Sequence, residues 1–270
     1  MNLCASSTPR CKAGCFIASA TAHCHFGEAS LFLDKWESAS VKARGNYDWH
    51  AYYKRLFGDF DFKNKKVLDV GGGAGLASAY AIVNGAKHST LLEPEADGSN
   101  SIALKNALAV RTELELGEKF EIRKETFQDF DHKENTFDLI VFEASINHLD
   151  EAAVTDLHTN KASKLKYQMI IEKIRSLTPD NGTVIISDCS NRNFFGDLGL
   201  RNPFVPTIEW HKHQSPNTWI RLFEDFGFKK QSLSWGIHNT LGSLGAILIG
   251  NKLAFYFISS YFILRLKKSK

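Results

Sequence analysis

An α/β domain built on a mostly parallel sheet is the fold class that this sequence predicts, on three observations. Val67 to Val70 is an apolar strand end that carries one acid, Asp69, and breaks at once into Gly71-Gly72-Gly73-Ala74-Gly75. A helical pattern with Ala77, Ala79 and Ala81 follows from Leu76 to Asn84 and ends near Gly85. A second short strand, Ser89 to Leu92, then ends in Glu93-Pro94, about two dozen residues beyond Asp69. Strand, loop, helix and strand make a βαβ unit, whose right-handed crossover brings the carboxyl ends of both strands to one edge of the sheet.

The loop is almost free of side chains, so its backbone turns with positive φ and lets a ligand approach closely, at the N-terminus of the next helix. The spacing narrows the ligand. A dinucleotide fingerprint needs a third glycine where this chain has Leu76, and no Lys-Ser/Thr pair follows as in a phosphate-binding loop. An acid placed like Glu93 can accept both hydroxyls of a ribose.

These residues resemble the class I S-adenosylmethionine-dependent methyltransferases. Val67-Leu68-Asp69-Val70-Gly71-x-Gly73-x-Gly75 looks like the first motif of that family and Leu91-Leu92-Glu93-Pro94 like the second. Thr136 to Glu143 resembles the fourth-strand motif, and Leu177 to Ser187 the turn and fifth strand, so the likeness runs in order over about residues 61–190. It implies a Rossmann-like, seven-stranded, mostly parallel sheet with an antiparallel final strand and helices on both faces, and S-adenosyl-L-methionine as cofactor.

Carried over position by position, the resemblance assigns the amino-acid end of the cofactor to Asp69 and the loop around Gly71, Gly73 and Gly75. An anionic acceptor suits an ammonium group and backbone donors suit a carboxylate. Glu93 takes the ribose hydroxyls, Pro94 packs on the adenine, and the carbonyl of Glu143 lies near the methionine part. One position departs from the pattern. Where relatives often place an Asp that reads the adenine amino group, this chain has Thr126, which still accepts a hydrogen bond. Glu125, Gln128 and Phe127, through its amide or ring, are the alternatives.

Methyl transfer from a sulfonium is an in-line displacement at carbon, so an enzyme must align the acceptor and, for a hydroxyl, remove its proton. His148, in Glu143-Ala144-Ser145-Ile146-Asn147-His148 after the fourth strand, is the candidate base, because a neutral imidazole accepts a proton near pH 7. Asn147 beside it is a candidate acceptor contact. The segment lacks the Asn/Asp-Pro-Pro-aromatic turn of enzymes that methylate nucleic-acid amino groups, so the reading has no nucleic-acid partner.

A second cluster, Asn202 to Pro216, is inserted between the fifth strand and a helix predicted over Thr218 to Phe226. Its Pro and aromatic residues stiffen it, and Glu209, His211 and His213 offer polar groups suited to a small hydroxylated or charged acceptor. It is similar to a segment of methyltransferases of polysaccharide or glycolipid assembly. His211 and His213 stand at i and i+2 without an evident third ligand, so no metal is expected. The leading expectation is O-methylation of a sugar or glycolipid-type acceptor. The alternatives are N-methylation of a small amine and a non-catalytic cofactor-binding partner subunit at a membrane surface.

The rest of the chain frames this unit. With 270 residues, 43% of them hydrophobic, it can bury one sizeable core, and a net charge of +3 is too small to argue for nucleic acid. Residues 1–30 hold Cys4, Cys11, Cys15 and Cys24 with His23 and His25. They lack both a helical period and paired Cys-x-x-Cys knuckles, so a flexible extension is expected. Residues 31–60 read as an aromatic-rich helical lead-in, which the resemblance implies is a lid over the site and whose rings alternatively pack against the sheet, and 61–270 as the methyltransferase domain, with the acceptor-side insertion at about 192–217. Near the end, the apolar stretch Leu241 to Leu264 is broken at Asn251-Lys252, which gives a helix to Phe257 and a last strand over Tyr261 to Lys267 rather than a membrane span. Its apolar excess suits the core, a homodimer contact or peripheral attachment to a membrane, in a protein expected to be cytoplasmic.

Overall fold

The computed structural model describes residues 33–94, 102–236 and 252–270. The expected Cys-rich extension, residues 95–101 after Pro94, and the 241–251 part of the predicted C-terminal helix lie outside the described residues. Helix α1 runs over 33–44, α2 over Trp49–Phe57, α3 over Leu76–Val83 and α4 over Ile102–Glu113. Glu151–Thr155 is α5, Lys161–Leu177 α6, Phe194–Asp197 α7, Pro216–Glu224 α8 and Lys252–Phe257 α9. The strands are β1 Lys66–Val70, β2 His88–Leu92, β3 Phe120–Arg123, β4 Leu139–Glu143, β5 Thr183–Cys189, β6 Phe228–Trp235 and β7 Tyr261–Lys268.

The seven strands form one sheet in the order β3-β2-β1-β4-β5-β7-β6. The first five are mutually parallel. Only β7 runs against its neighbours, pairing antiparallel with both β5 and β6. The expected seven-stranded sheet with an antiparallel final strand is therefore present.

Each boundary has a local cause. Asp48 accepts from the Ala51 amide at 2.8 Å and starts α2, and Asn160 accepts from the Ala162 amide at 2.9 Å and starts α6. Ser215 caps α8 through the Thr218 amide at 3.2 Å, with Pro216 in the first helical position. That helix consequently begins two residues before the predicted Thr218. The fourth-strand motif is also shorter than Thr136 to Glu143, because the amides of Thr136 and Phe137 both donate to the Leu177 carbonyl and form a turn before the strand.

Alternation along the strands divides the interior into two cores. Val67, Leu139, Val141, Ile185 and Ile263 face α1 to α4, where Trp36, Tyr53, Phe57 and Tyr80 pack together. Leu68, Ile140, Phe142, Ile186 and Phe262 face α5, α6 and α8, where Tyr167, Ile171, Trp219 and Phe223 fill the space. Both faces of the central strands are buried, as parallel sheets require.

The lead-in is part of the first core. Trp36 is fully buried, its indole donates to the Leu76 carbonyl at 3.3 Å, and its ring meets Tyr53 and Tyr80 edge-on at 5.5 and 5.0 Å. We expect Trp36→Ala to cost about 3–5 kcal/mol, read by urea denaturation. A loss below about 1 kcal/mol would mean that α1 is not packed on α3.

Candidate active site

The site grows from the exit of β1. In register, Val70 stands beside Leu92 on one side and Phe142 on the other, so Gly71, Glu93 and Glu143 leave three adjacent strands at one edge of the sheet. The Gly71 amide donates to the Leu92 carbonyl at 2.8 Å and holds the loop against β2. Gly72 lies directly over Asp69, and a Cβ there would collide with the Asp69 carboxylate. Gly73 has φ +55° and nothing within 4 Å of its Cβ position, so its side-chain direction is open space.

Asp69 lies beneath this loop and is fully buried. Its Oδ2 accepts from the Ser78 amide at 3.2 Å and the Ser78 hydroxyl at 2.9 Å, while Oδ1 has no hydrogen-bond partner. Burial, with the nearby Glu143 charge, pushes its pKa up to about 7 against the opposing Ser78 hydrogen bonds. Glu93, itself buried, accepts from the Gly73 amide at 2.8 Å, and so bridges the end of β2 to the loop. Pro94 follows at the strand exit, half-buried.

Glu143 is the hub of the opposite wall. Its Oε1 accepts from Arg44 at 2.8 Å and Tyr52 at 3.0 Å, and its Oε2 from Tyr53 at 3.0 Å. Arg44 lies over the Trp49 ring, 4.7 Å from the centroid. Burial alone would lower the Arg44 pKa, but Glu143 and the two phenols outweigh it and raise it. Burial, then Glu143, raises Tyr52, Tyr53 and Tyr261, so all three hydroxyls stay protonated. A cleft of about 470 Å³ lies among these groups, lined by Arg44, Tyr52, Gly71 to Ala74, Asn106, Glu143 and Tyr261.

Beyond the cleft wall the predicted residues divide. Thr126 donates its hydroxyl to Asp129 at 2.7 Å, and Phe127 is buried in the second core, edge-on to Phe142. His148 stands on the rim after β4 with its side chain 51% exposed, and its Nδ1 is 2.7 Å from Glu151. Asn147 is fully buried, its Nδ2 3.4 Å from the His148 Nε2 and its Oδ1 without a partner. Glu209 and His211 are exposed. Lys212 bridges Glu209 and Glu151 at 2.8 and 2.9 Å, which ties the insertion to the His148 rim. His213 turns inward, with its Nδ1 3.0 Å from Oδ1 of Asp188, a buried acid near the end of β5.

Sequence reading overlooked Arg44, Asp188 and Tyr261. For Asp188 a signal existed, an acid closing an apolar strand as Glu93 does. Arg44 was one of several cations in the lead-in, with Lys35, Lys42, Lys54 and Arg55, and nothing local marked its partner.

Order and direction of the strands are those of the Rossmann-like class I methyltransferases, for which S-adenosylmethionine is the methyl donor. Residues 41–233 match the family model of the methyltransferase domain, and the chain belongs to that family. No curated protein matches it in sequence. Among solved structures, it is similar to an S-adenosylmethionine-dependent methyltransferase from Mesorhizobium loti, at 12% identity and TM-score 0.55 over 84% of this chain and 100% of that one. It is also similar to the 1,6-didemethyltoxoflavin-N1-methyltransferase of Burkholderia thailandensis, solved with S-adenosylhomocysteine, at 14% identity and TM-score 0.50 over 97% and 94%. The [4+2]-cyclase SpnF matches at 12% and TM-score 0.56 over 92% and 97%. At these identities the likeness is one of fold, and the cyclase illustrates that one fold hosts more than one chemistry.

The residues present fit the donor. The open Gly73 direction leaves room for a ligand against the loop, Glu143 lines the cleft, and the fully buried Asp69 keeps one oxygen without a hydrogen-bond partner beneath the loop. The folded protein keeps the Asp69 proton at pH values where the unfolded chain, with a carboxyl near 3.8, has released it, so stability falls as pH rises from about 4 to about 7. Asp69→Asn is neutral throughout and should remove that slope while still accepting from Ser78. Thermal unfolding of both proteins across this range is the check, and parallel curves would mean that Asp69 is ionised in the fold throughout.

Proposed function

We propose that the protein methylates a small-molecule acceptor, with O-methylation of a sugar or glycolipid-type hydroxyl as the leading reaction. The observation that carries this reading is that the open glycine loop and Glu143 line one cleft at the carboxyl edge of β1, β2 and β4, with Glu93 hydrogen-bonded to the Gly73 amide of that loop. Ligands of open α/β sheets bind at this edge.

Bound there, S-adenosylmethionine supplies an electrophilic methyl group on a sulfonium. Asp69 and the loop around Gly71, Gly73 and Gly75 receive its amino-acid end, Glu93 its ribose hydroxyls and Pro94 its adenine. Thr126 or Phe127 completes the adenine site. Glu143, anchored by Arg44, Tyr52 and Tyr53, borders the methionine part and fixes the lead-in as the lid over it. Residues 61–270 form the catalytic domain under that lid.

The acceptor enters past His148, with Asn147 buried behind it, and past the part of the insertion where Glu209, His211 and His213 offer contacts. With Nδ1–H of His148 donating to Glu151, Nε2, which the Asn147 amide meets at 3.4 Å, is the atom that accepts the acceptor's proton. His213, held by Asp188, is the second imidazole at this edge.

Calorimetry should detect S-adenosylmethionine binding, and Glu93→Ala should weaken it by about 1–3 kcal/mol, or roughly 5- to 150-fold. Absence of binding by the wild type would overturn the reading. With labelled donor and a panel of sugars, glycolipids and amines, His148→Ala should keep donor binding and lose about 10²–10⁴-fold in turnover. If His213→Ala is the variant that does so, the base lies beside β5, and if only amines react, the acceptor atom is nitrogen.

A further inference from the structure

A second surface stands apart from the cleft, where α7 and the loop after it meet α9. Leu198, Leu200, Phe204, Leu253 and Phe257 are there, each 42–69% exposed although all are large and apolar. They form one face, because Phe194 links Phe257 at 4.8 Å and Phe195 at 5.3 Å, and Phe195 meets Phe204 at 6.2 Å. Buried amides hold the face in this outward position. Asn193 donates to the Tyr256 carbonyl at 2.9 Å, and Asn202 donates to the Ile258 carbonyl at 2.6 Å. Folding thus fastens the loop to α9 through polar groups beneath the face and leaves its apolar side chains in water, where large contiguous apolar patches mark interaction sites.

Charge identifies the occupant. No Asp or Glu occurs from Phe226 to Lys270, a stretch that includes Lys252 at the start of α9. Lys252 and Arg201 are exposed at the border of the face. The acid within it, Asp197, is neutralised by Arg192 at 3.0 Å and receives the Tyr256 hydroxyl at 2.8 Å. Two copies of this face would set like charges against each other, whereas an anionic bilayer presents acyl chains to the apolar residues and phosphates to the cations around them. No described helix is long and apolar enough to cross a membrane, so the contact is one of surface docking.

We propose that this face docks on an anionic phospholipid bilayer, with Leu198, Leu200, Phe204, Leu253 and Phe257 entering the acyl boundary and Arg201 and Lys252 meeting the phosphates. The inference is independent of the methyl-transfer reading, because none of these residues lines the cleft.

The test is sedimentation of the full chain with phosphatidylcholine vesicles, with and without about 30 mol % phosphatidylserine. We expect binding at least about tenfold stronger to the anionic vesicles, and loss of it in the double variant Phe204→Asp, Leu253→Asp. Circular dichroism, thermal unfolding and S-adenosylmethionine calorimetry of that variant should match the wild type, which separates lost docking from lost folding. Arg201→Glu with Lys252→Glu, which leaves the apolar residues in place, should abolish the preference for phosphatidylserine. Wild-type protein that stays in the supernatant at both compositions would overturn the proposal, as would a Phe204→Asp, Leu253→Asp variant that pellets like wild type. Concentration-dependent dimerisation by analytical ultracentrifugation, removed by the same double variant in a protein that ignores vesicles, would assign the face to a second copy instead and also overturn it.

Discussion

The parallel pairing of β1 with β2 on one side and β4 on the other is the constraint on which the rest of the structure depends. One residue of slip along either ladder would turn a strand's buried side chains to the opposite face. With both faces buried in separate cores, no such slip is tolerated. The register therefore carries Gly71, Glu93 and Glu143 to the same edge, and the cleft follows from it without further design.

Within that edge, electrostatics is organised around carboxylates rather than around the loop amides alone. Asp69 is taken out of water under Gly72, and its cost of ionisation is met only in part by Ser78. Glu93 and Glu143 are treated differently, since each is drawn to hydrogen-bond donors that come from elsewhere in the chain. Glu93 turns back onto the Gly73 amide, and Glu143 collects Arg44, Tyr52 and Tyr53. The second set joins the lead-in to β4, so a segment that contributes Arg44 and Tyr52 to the cleft lining is tied to the end of a central strand. Arg44 and the two tyrosines of α2 thereby join an aromatic core to a polar site.

The surface around the insertion has a comparable division of labour. Lys212 links Glu209 and Glu151, so the insertion and the His148 rim are one connected surface, while His213 faces the interior and rests on Asp188. At i and i+2 across the end of a short 3₁₀ turn, His211 and His213 part, one exposed to water and the other half-buried against Asp188 of β5. Farther along the same insertion, the apolar face beside α9 is held outward by buried amides, so exposure there is built into the fold and is not the result of loose packing.

The fold and the edge of the sheet where Gly71, Glu93 and Glu143 emerge were legible in the sequence because they are encoded locally. Apolar strands, a loop of glycines and acids that close strands leave their mark in a few consecutive residues, and the turn chemistry of Asn160, Ser215 and Pro216 does the same for helix starts. By itself the sequence determined the α/β class, the antiparallel last strand implied by the family likeness, and the positions of Asp69, Gly71, Gly73, Gly75 and Glu93. Only the tertiary structure decided that Arg44 meets Glu143 across 99 residues, that His213 meets Asp188 across 25, and that Thr126 pairs with Asp129 in a turn while Phe127 enters the second core. Those pairings depend on how strands and loops close in space, and the residues at either end carry no local pattern that names the partner.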